Sequence, residues 1–312
     1  MGESNIRPKT SYRICLEKSL IYRIFALNKI QGFFMINFNG NIAQEEIILT
    51  QNRAFLYGDG IFETVKISNG KILFLEDHYF RLMASMRVVR MMIPMNFTME
   101  YFEEQILNLV KEQGIASSAR ARITVFRNDG GLYLPKTNDI SFLIKATPLE
   151  NTSYSINLSE YEVDLYKDFY VTKQLLSSLK TTNKMIHITG SIYAHENDLA
   201  NCILLNDSKN VVEALQGNIF MVMGKKLITP PVSEGALNGI MRKQILAMAK
   251  KVEGIEVVEE IISPFDLQKA DELFLTNVIM GIQPITKYRK KEFTTNLAHL
   301  LVQRLNESIS EN

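Results

Sequence analysis

Between Thr64 and Leu75 apolar and polar residues alternate until Ser68-Asn69-Gly70. An Asn-Gly pair between two β-rich runs marks a hairpin, so two strands are expected to meet there. The next periodicity is helical: Phe80, Leu82, Met83, Met86, Val88, Val89 and Met92 recur on one face, with Asp77 as the opening cap and a stop near Pro94. A second helix is expected from about Met99 to Gln113, ending at Gly114. Strands Ala119 to Phe126 and Ile140 to Ala146 follow, on either side of a loop over 127–135. The polar, turn-rich stretch from Pro148 to Asn157 reads as a boundary. Beyond it, strands around Ile156 to Val163 and Cys202 to Leu205 flank a helix from about Thr182 to Glu196, and the strand Asn218 to Met223 turns at Gly224 into Leu227 to Thr229. Asn238 is placed as the cap of a helix from Ile240 to about Val252. Strands near Val257 to Ile262 and Leu273 to Leu275 come next, and a helix from about Thr295 to Ser308 closes the chain.

This order predicts an α+β chain in two domains: a small α/β domain over residues 35–150 and a larger, mostly antiparallel β domain with helices over 151–312. Residues 1–34 form a basic, turn-poor extension ahead of the strand and turn Ile36-Asn37-Phe38-Asn39-Gly40. Met35 is therefore expected to be the biological start, with an extra docking helix as the other reading of the extension.

Composition removes several function classes. The chain has 312 residues, 35 Lys and Arg against 34 Asp and Glu, a net charge of +1 and 46% hydrophobic residues, which is a globular balance. Such a balance provides no basic field to attract nucleic acid or an anionic membrane, so a small-molecule partner is expected. No apolar run reaches the roughly 18–20 residues of a membrane span. Cys15 and Cys202 lie far apart, which excludes a disulfide scaffold or Cys-rich zinc site and fits the reducing cytoplasm. The histidines, His78, His187, His195 and His299, form no HxxxH or HxH pair, so no metal centre is expected.

The chain has no G-x-S-x-G and no Walker loop, and Gly58-Asp59-Gly60 lacks the third glycine of a dinucleotide fingerprint. What remains is polar groups at element junctions. Lys180, where a strand end passes into a helix, can form a Schiff base with an aldehyde. Glu213 follows two β-branched residues and needs a cationic or N–H partner if buried. Arg81, with the helix start at Gly239-Ile240-Met241, offers a guanidinium and free backbone N–H groups to a phosphate. Together these describe a site for pyridoxal 5′-phosphate.

Six segments in order carry a resemblance: Tyr57-Gly58-Asp59-Gly60-Ile61-Phe62-Glu63-Thr64; His78-Tyr79-Phe80-Arg81-Leu82; Leu179-Lys180-Thr181-Thr182-Asn183; Val212-Glu213-Ala214-Leu215-Gln216-Gly217-Asn218-Ile219-Phe220; Gly239-Ile240-Met241-Arg242; and Ala270-Asp271-Glu272-Leu273-Phe274-Leu275-Thr276-Asn277. From about Met35 to Lys290 the chain resembles the class IV aminotransferase family, the fold-type IV pyridoxal-phosphate enzymes. The resemblance implies that Lys180 carries the cofactor, that Glu213 pairs with its ring nitrogen, and that Arg81, Gly239, Ile240 and Met241 hold its phosphate, with Asn277 completing the cofactor site. Many relatives have Thr where Met241 stands, which leaves only a backbone N–H here. Lys184, one turn on, is the rival to Lys180. A homodimer is also implied.

Three activities share that scaffold: branched-chain transamination, D-amino-acid transamination, and 4-amino-4-deoxychorismate lyase, which releases pyruvate and 4-aminobenzoate. In place of the transaminases' Thr-x-x-Glu-Ile-Thr-Pro the chain has Thr276-Asn277-Val278-Ile279-Met280-Gly281, which looks like the lyase. Gly239-Ile240-Met241-Arg242 and the loop from Arg127 to Tyr133 also look lyase-like, although the loop is one residue short. The Arg-x-His pair of D-amino-acid transaminases is missing. A lyase substrate carries two carboxylates, a demand that Arg127, Tyr133 and Asn277 fit. Phe62 is expected at the substrate, and Thr64 as a proton relay to the departing pyruvate. Either transaminase activity stays open as the alternative. A non-catalytic protein of the same fold is argued against by the joint retention of Lys180, Glu213 and Arg81.

Overall fold

The computed structural model describes residues 35–43, 50–157 and 159–310. The reading of residues 1–34 lies outside the described residues.

The first half is a six-stranded antiparallel sheet with two helices on one face. Its elements are β1 (Ile36–Phe38), β2 (Asn41–Ala43), α1 (Arg53–Tyr57), β3 (Gly60–Ser68), β4 (Lys71–Ile72), α2 (Leu75–Val88), α3 (Met99–Glu112), β5 (Ser118–Arg127) and β6 (Ile140–Pro148), in sheet order β2-β1-β6-β5-β3-β4. The hairpin between β3 and β4 forms as expected, with Asn69 and Gly70 both left-handed at φ 50° and 76°. Strand periodicity sends Ile61, Val65 and Ile67 into a core with Met86, Phe102, Ile106 and Leu109 from the helices. Yet all nine residues of β3 are buried, because the rest of the chain covers the opposite face, where Phe62, Thr64 and Lys66 point. That covered face becomes one wall of the site.

The second half is layered helix, sheet, sheet, helix. Its elements are β7 (Glu162–Val171), α4 (Met185–Glu196), β8 (Asn201–Asn206), β9 (Val211–Ala214), β10 (Asn218–Met223), β11 (Lys226–Thr229), α5 (Ile240–Ala249), β12 (Glu256–Glu259), β13 (Glu272–Asn277), β14 (Gly281–Ile285), β15 (Lys287–Tyr288), β16 (Lys291–Glu292) and α6 (Asn296–Ser310). The sheets run β12-β11-β10-β13-β14 and β16-β15-β7-β8-β9. Pairing is mostly antiparallel, as predicted, with β7 against β8, β11 against β12 and β7 against β15 parallel. Alternation along β10 explains the layers: Ile219 and Met221 face the other sheet, while Phe220 and Val222 meet α5 and α6. On the outer face of the other sheet, α4 packs on Tyr166, Leu204 and Val212.

Several boundaries differ from the sequence reading. α2 opens at Leu75 behind Phe74, left-handed at φ 57°, so Asp77 lies inside the first turn and accepts hydrogen bonds from Lys243 and Gln244 instead of capping. That helix ends at Val88, and Arg90 turns left-handed at φ 60° well before Pro94. The strand expected around 156–163 runs from Glu162 to Val171. The cap of α5 is Gly239, not Asn238.

Candidate active site

Lys180 is placed by the first half of the chain, although it precedes a helix of the second. Its carbonyl accepts the Phe62 N–H at 2.8 Å, and two residues later the Thr182 N–H donates to the Gly60 carbonyl at 2.9 Å. The lysine segment thus runs as a short extra strand beside the start of β3. Its ammonium lies 4.6 Å from the centre of the Phe62 ring. Burial, reinforced by the nearby Arg81 charge and opposed by Glu63 and Glu213, pulls the Lys180 amine down to about 8. Such an amine gains and loses a proton near neutrality.

A cavity of about 220 Å³ opens at this lysine between the two halves. Phe62, Thr64, Arg81, Lys180, Glu213, Gly239, Ile240, Met241 and Asn277 all line it, bringing together nine of the eleven residues singled out in the sequence. Lys184 lines it as well. Its charge is disfavoured by burial, and its ammonium makes no hydrogen bond or ion pair among the described residues.

One end of the cavity is built for an anion. Arg81 donates through Nε and Nη2 to the two oxygens of Glu63, each at 2.7 Å, and through Nη1 to the Asn238 carbonyl at 2.9 Å. This fork leaves guanidinium hydrogens free to face the cavity. Burial alone would raise Glu63, but Arg81 and the His78 Nδ1 2.8 Å away hold its carboxyl down at about 2. α5 begins at Gly239 with no side-chain cap, so its first amides are open toward a ligand. A Cβ on Gly239 would collide with Asn218 Oδ1, and one on Gly217 would meet the Thr276 carbonyl at 2.5 Å, so both walls need bare backbone. Thr276 is 1% exposed, and its hydroxyl has no hydrogen-bond partner. A buried unpartnered hydroxyl beside an open helix end and a forked arginine fits a phosphate group. Met241 is buried in the α5 core, and with no hydroxyl on its side chain it can offer an anion only its backbone N–H.

At the other end Glu213 is held at both oxygens. Oε2 accepts the Leu237 N–H at 2.9 Å, and Oε1 lies 3.3 Å from His187 Nε2. A carboxylate fixed there fits a protonated ring nitrogen. Phosphate cradle, lysine and carboxylate together match the chemistry of pyridoxal 5′-phosphate.

Two residues expected at the substrate stand outside this cavity. Arg127 does not line the cavity: its guanidinium is taken up by Asp59, by Asn138 and by the carbonyls of Val89 and Arg90, all of which fix the loop. Tyr133 lies outside the cavity too, 91% exposed on that loop and 6.0 Å from the Tyr57 ring. Asn277 does line the cavity, but its side chain caps the following turn, accepting from the Ile279 and Met280 amides and donating to the Gln216 carbonyl. Glu63, His78, His187 and Thr276 were missed as site residues. Thr276 stands inside a quoted segment, and only the pairing of β10 with β13, which sets Thr276 opposite Asn218, identifies it.

Comparison with known proteins identifies a family and several relatives. The family model described as amino-transferase class IV matches residues 60–288. A putative branched-chain-amino-acid aminotransferase of Methanocaldococcus jannaschii is 28% identical over 287 residues, covering 88% of this chain and 95% of that one. A D-alanine aminotransferase of Listeria monocytogenes is 28% identical over 251 residues, covering 76% and 80%. Among solved structures, a putative 4-amino-4-deoxychorismate lyase of Legionella pneumophila superposes with a TM-score of 0.75 at 21% identity, covering 84% of this chain and 96% of that one.

Proposed function

Since the chain belongs to the class IV aminotransferases, enzymes that work with pyridoxal 5′-phosphate, we propose that it binds this cofactor and acts as a 4-amino-4-deoxychorismate lyase. The observation that carries the choice is Thr64. Its side chain lines the same cavity as Lys180, and its hydroxyl makes no hydrogen bond among the described residues. That leaves it free to hand a proton to a leaving group.

Arg81, the Ile240 and Met241 amides and the Thr276 hydroxyl hold the phosphate, and Glu213 receives the ring nitrogen. When bound, the cofactor supplies an electron sink next to the substrate amine. Lys180, poised near neutrality, removes the proton from the ring carbon that bears the amine. The bond from the ring to the enolpyruvyl oxygen then breaks, its electron pair staying on oxygen as the ring becomes aromatic. Thr64 delivers a proton to the methylene carbon of the departing enol, which leaves as pyruvate. Atoms and electrons balance without an oxidant.

Aminotransfer is the second reading, favoured by the names of the sequence relatives. Thr64 separates the two. In Thr64→Val, 4-aminobenzoate release is expected to fall by about 10²–10³ while Thr64→Ser keeps most of it, as for loss of a positioned proton donor. Equal rates in wild type and Thr64→Val would remove the lyase reading.

The chain is further proposed to work as a homodimer. Phe55 and Leu56 of α1 and Leu132 and Leu134 of the neighbouring loop are exposed, at 78%, 48%, 75% and 85%. Arg53 ties that loop to α1 through the Gly130 and Leu132 carbonyls, which holds these exposed apolar side chains on neighbouring segments, as a subunit contact requires. Sedimentation is expected to give twice the chain mass; a monomer at micromolar concentration would contradict this.

A further inference from the structure

Neither the phosphate cradle nor the proton transfers use His187. Glu213, however, is held at one oxygen by a backbone amide and at the other by the His187 imidazole. The carboxylate is nearly closed off while the imidazole is 24% exposed, and both line the cofactor cavity and an adjoining one of about 360 Å³. Lys180 and Lys184 act on Glu213 through space, whereas His187 touches it.

The contact is built into the packing of α4. Gly190, one turn beyond His187, lies so near the sheet that a Cβ would meet Leu215 Cδ2 at 2.5 Å and Tyr166 Cδ1 at 3.3 Å. Leu215 stands two residues after Glu213, so the approach that Gly190 permits also carries His187 to the carboxylate.

We propose that His187 is a positioning residue that shares Glu213 with the ring nitrogen of the bound cofactor, orienting the carboxylate and setting how much of its negative charge reaches that nitrogen. The inference rests on the cofactor reading above. A partner behind a liganding group fixes its direction and tunes its basicity, as outer partners do around metal ligands.

The test compares cofactor dissociation from wild type, His187→Gln and His187→Phe, followed by the absorbance of the lysine-bound cofactor. Each is loaded with pyridoxal phosphate and with an analogue whose ring nitrogen is replaced by carbon. His187→Phe is expected to weaken the natural cofactor roughly tenfold, the scale of one hydrogen bond to a charged group. The Gln variant, which still donates an N–H, should keep most of the affinity, and both variants should hold the analogue as wild type does. In a Glu213→Gln background the Phe substitution should add little. Equal weakening of both cofactors, or no change with the natural one, would overturn the proposal. A wild-type chain that takes up neither would overturn the cofactor reading with it.

Discussion

Lys180 shows how a single side chain acquires its chemistry from its surroundings. The amine is lowered to about 8 by burial and by Arg81 against the opposing pull of Glu63 and Glu213. An amine attacks an aldehyde only when neutral, so the rate of cofactor attachment to the apoprotein should rise with pH and level off near 8. A rise that continues toward 10.5, the ordinary lysine value, would contradict this. Lys180, Glu213 and Arg81 were legible in the sequence because each sits at a junction where its residue type has a recognisable use. Thr276 was not, since a buried threonine on a strand becomes a ligand only through what the next strand and the α5 end place beside it. Arg127 is the opposite case: an arginine beside a glycine-rich loop resembles an anion-binding group, while most of its partners, Asp59, Val89 and Arg90, come from segments far along the chain and only Asn138 from its own loop.

Among the elements, α5 matters most to the site. Its start is fixed by Gly239 against Asn218, by Arg242 bonding to the Pro230 carbonyl and Glu259, and by the Asn238 carbonyl on Arg81. Gly239→Ala is expected to push the helix end off the cradle, costing about 1–3 kcal/mol of stability through overpacking and weakening cofactor binding. Thermal unfolding and cofactor titration check it; unchanged affinity would show that the cradle does not depend on this close approach. Hairpins and amphipathic helices were readable because turn residues and apolar period agree within one segment. Residues 156–163 alternate like a strand, but the pairing that decides is with β8: the parallel register begins with Val163 opposite Asn201, and β7 therefore lies further along than local pattern suggests. The start of α2 was equally hidden, because a left-handed Phe74 is dictated by packing.

On the scale of the whole molecule, the site is a seam. Arg81 reaches from the first half to Asn238 in the second, Lys66 donates to the Ser153 carbonyl, and the Phe62 N–H donates to the Lys180 carbonyl of a neighbouring strand segment. Glu63 anchors this seam, and its folded carboxyl titrates at about 2 against an ordinary value of 4.5. A depressed acid stabilises the fold fully above its unfolded value and loses that contribution as pH falls from about 4.5 toward 2. By linkage, the contribution is on the order of 3 kcal/mol. Urea unfolding should therefore show wild type converging on Glu63→Gln over that window; a constant gap between them would contradict the assignment.

Cofactor, lysine and leaving group meet in one reaction, which a single mixing experiment follows. Holoenzyme, shown by its near-visible absorbance band to carry the cofactor on Lys180, is mixed with 4-amino-4-deoxychorismate while 4-aminobenzoate and the band are followed together. 4-Aminobenzoate and pyruvate are expected in equal amounts, with the band retained through turnover and absent in Lys180→Ala. Conversion of the band to the aminated cofactor with no 4-aminobenzoate formed would overturn the lyase reading in favour of aminotransfer.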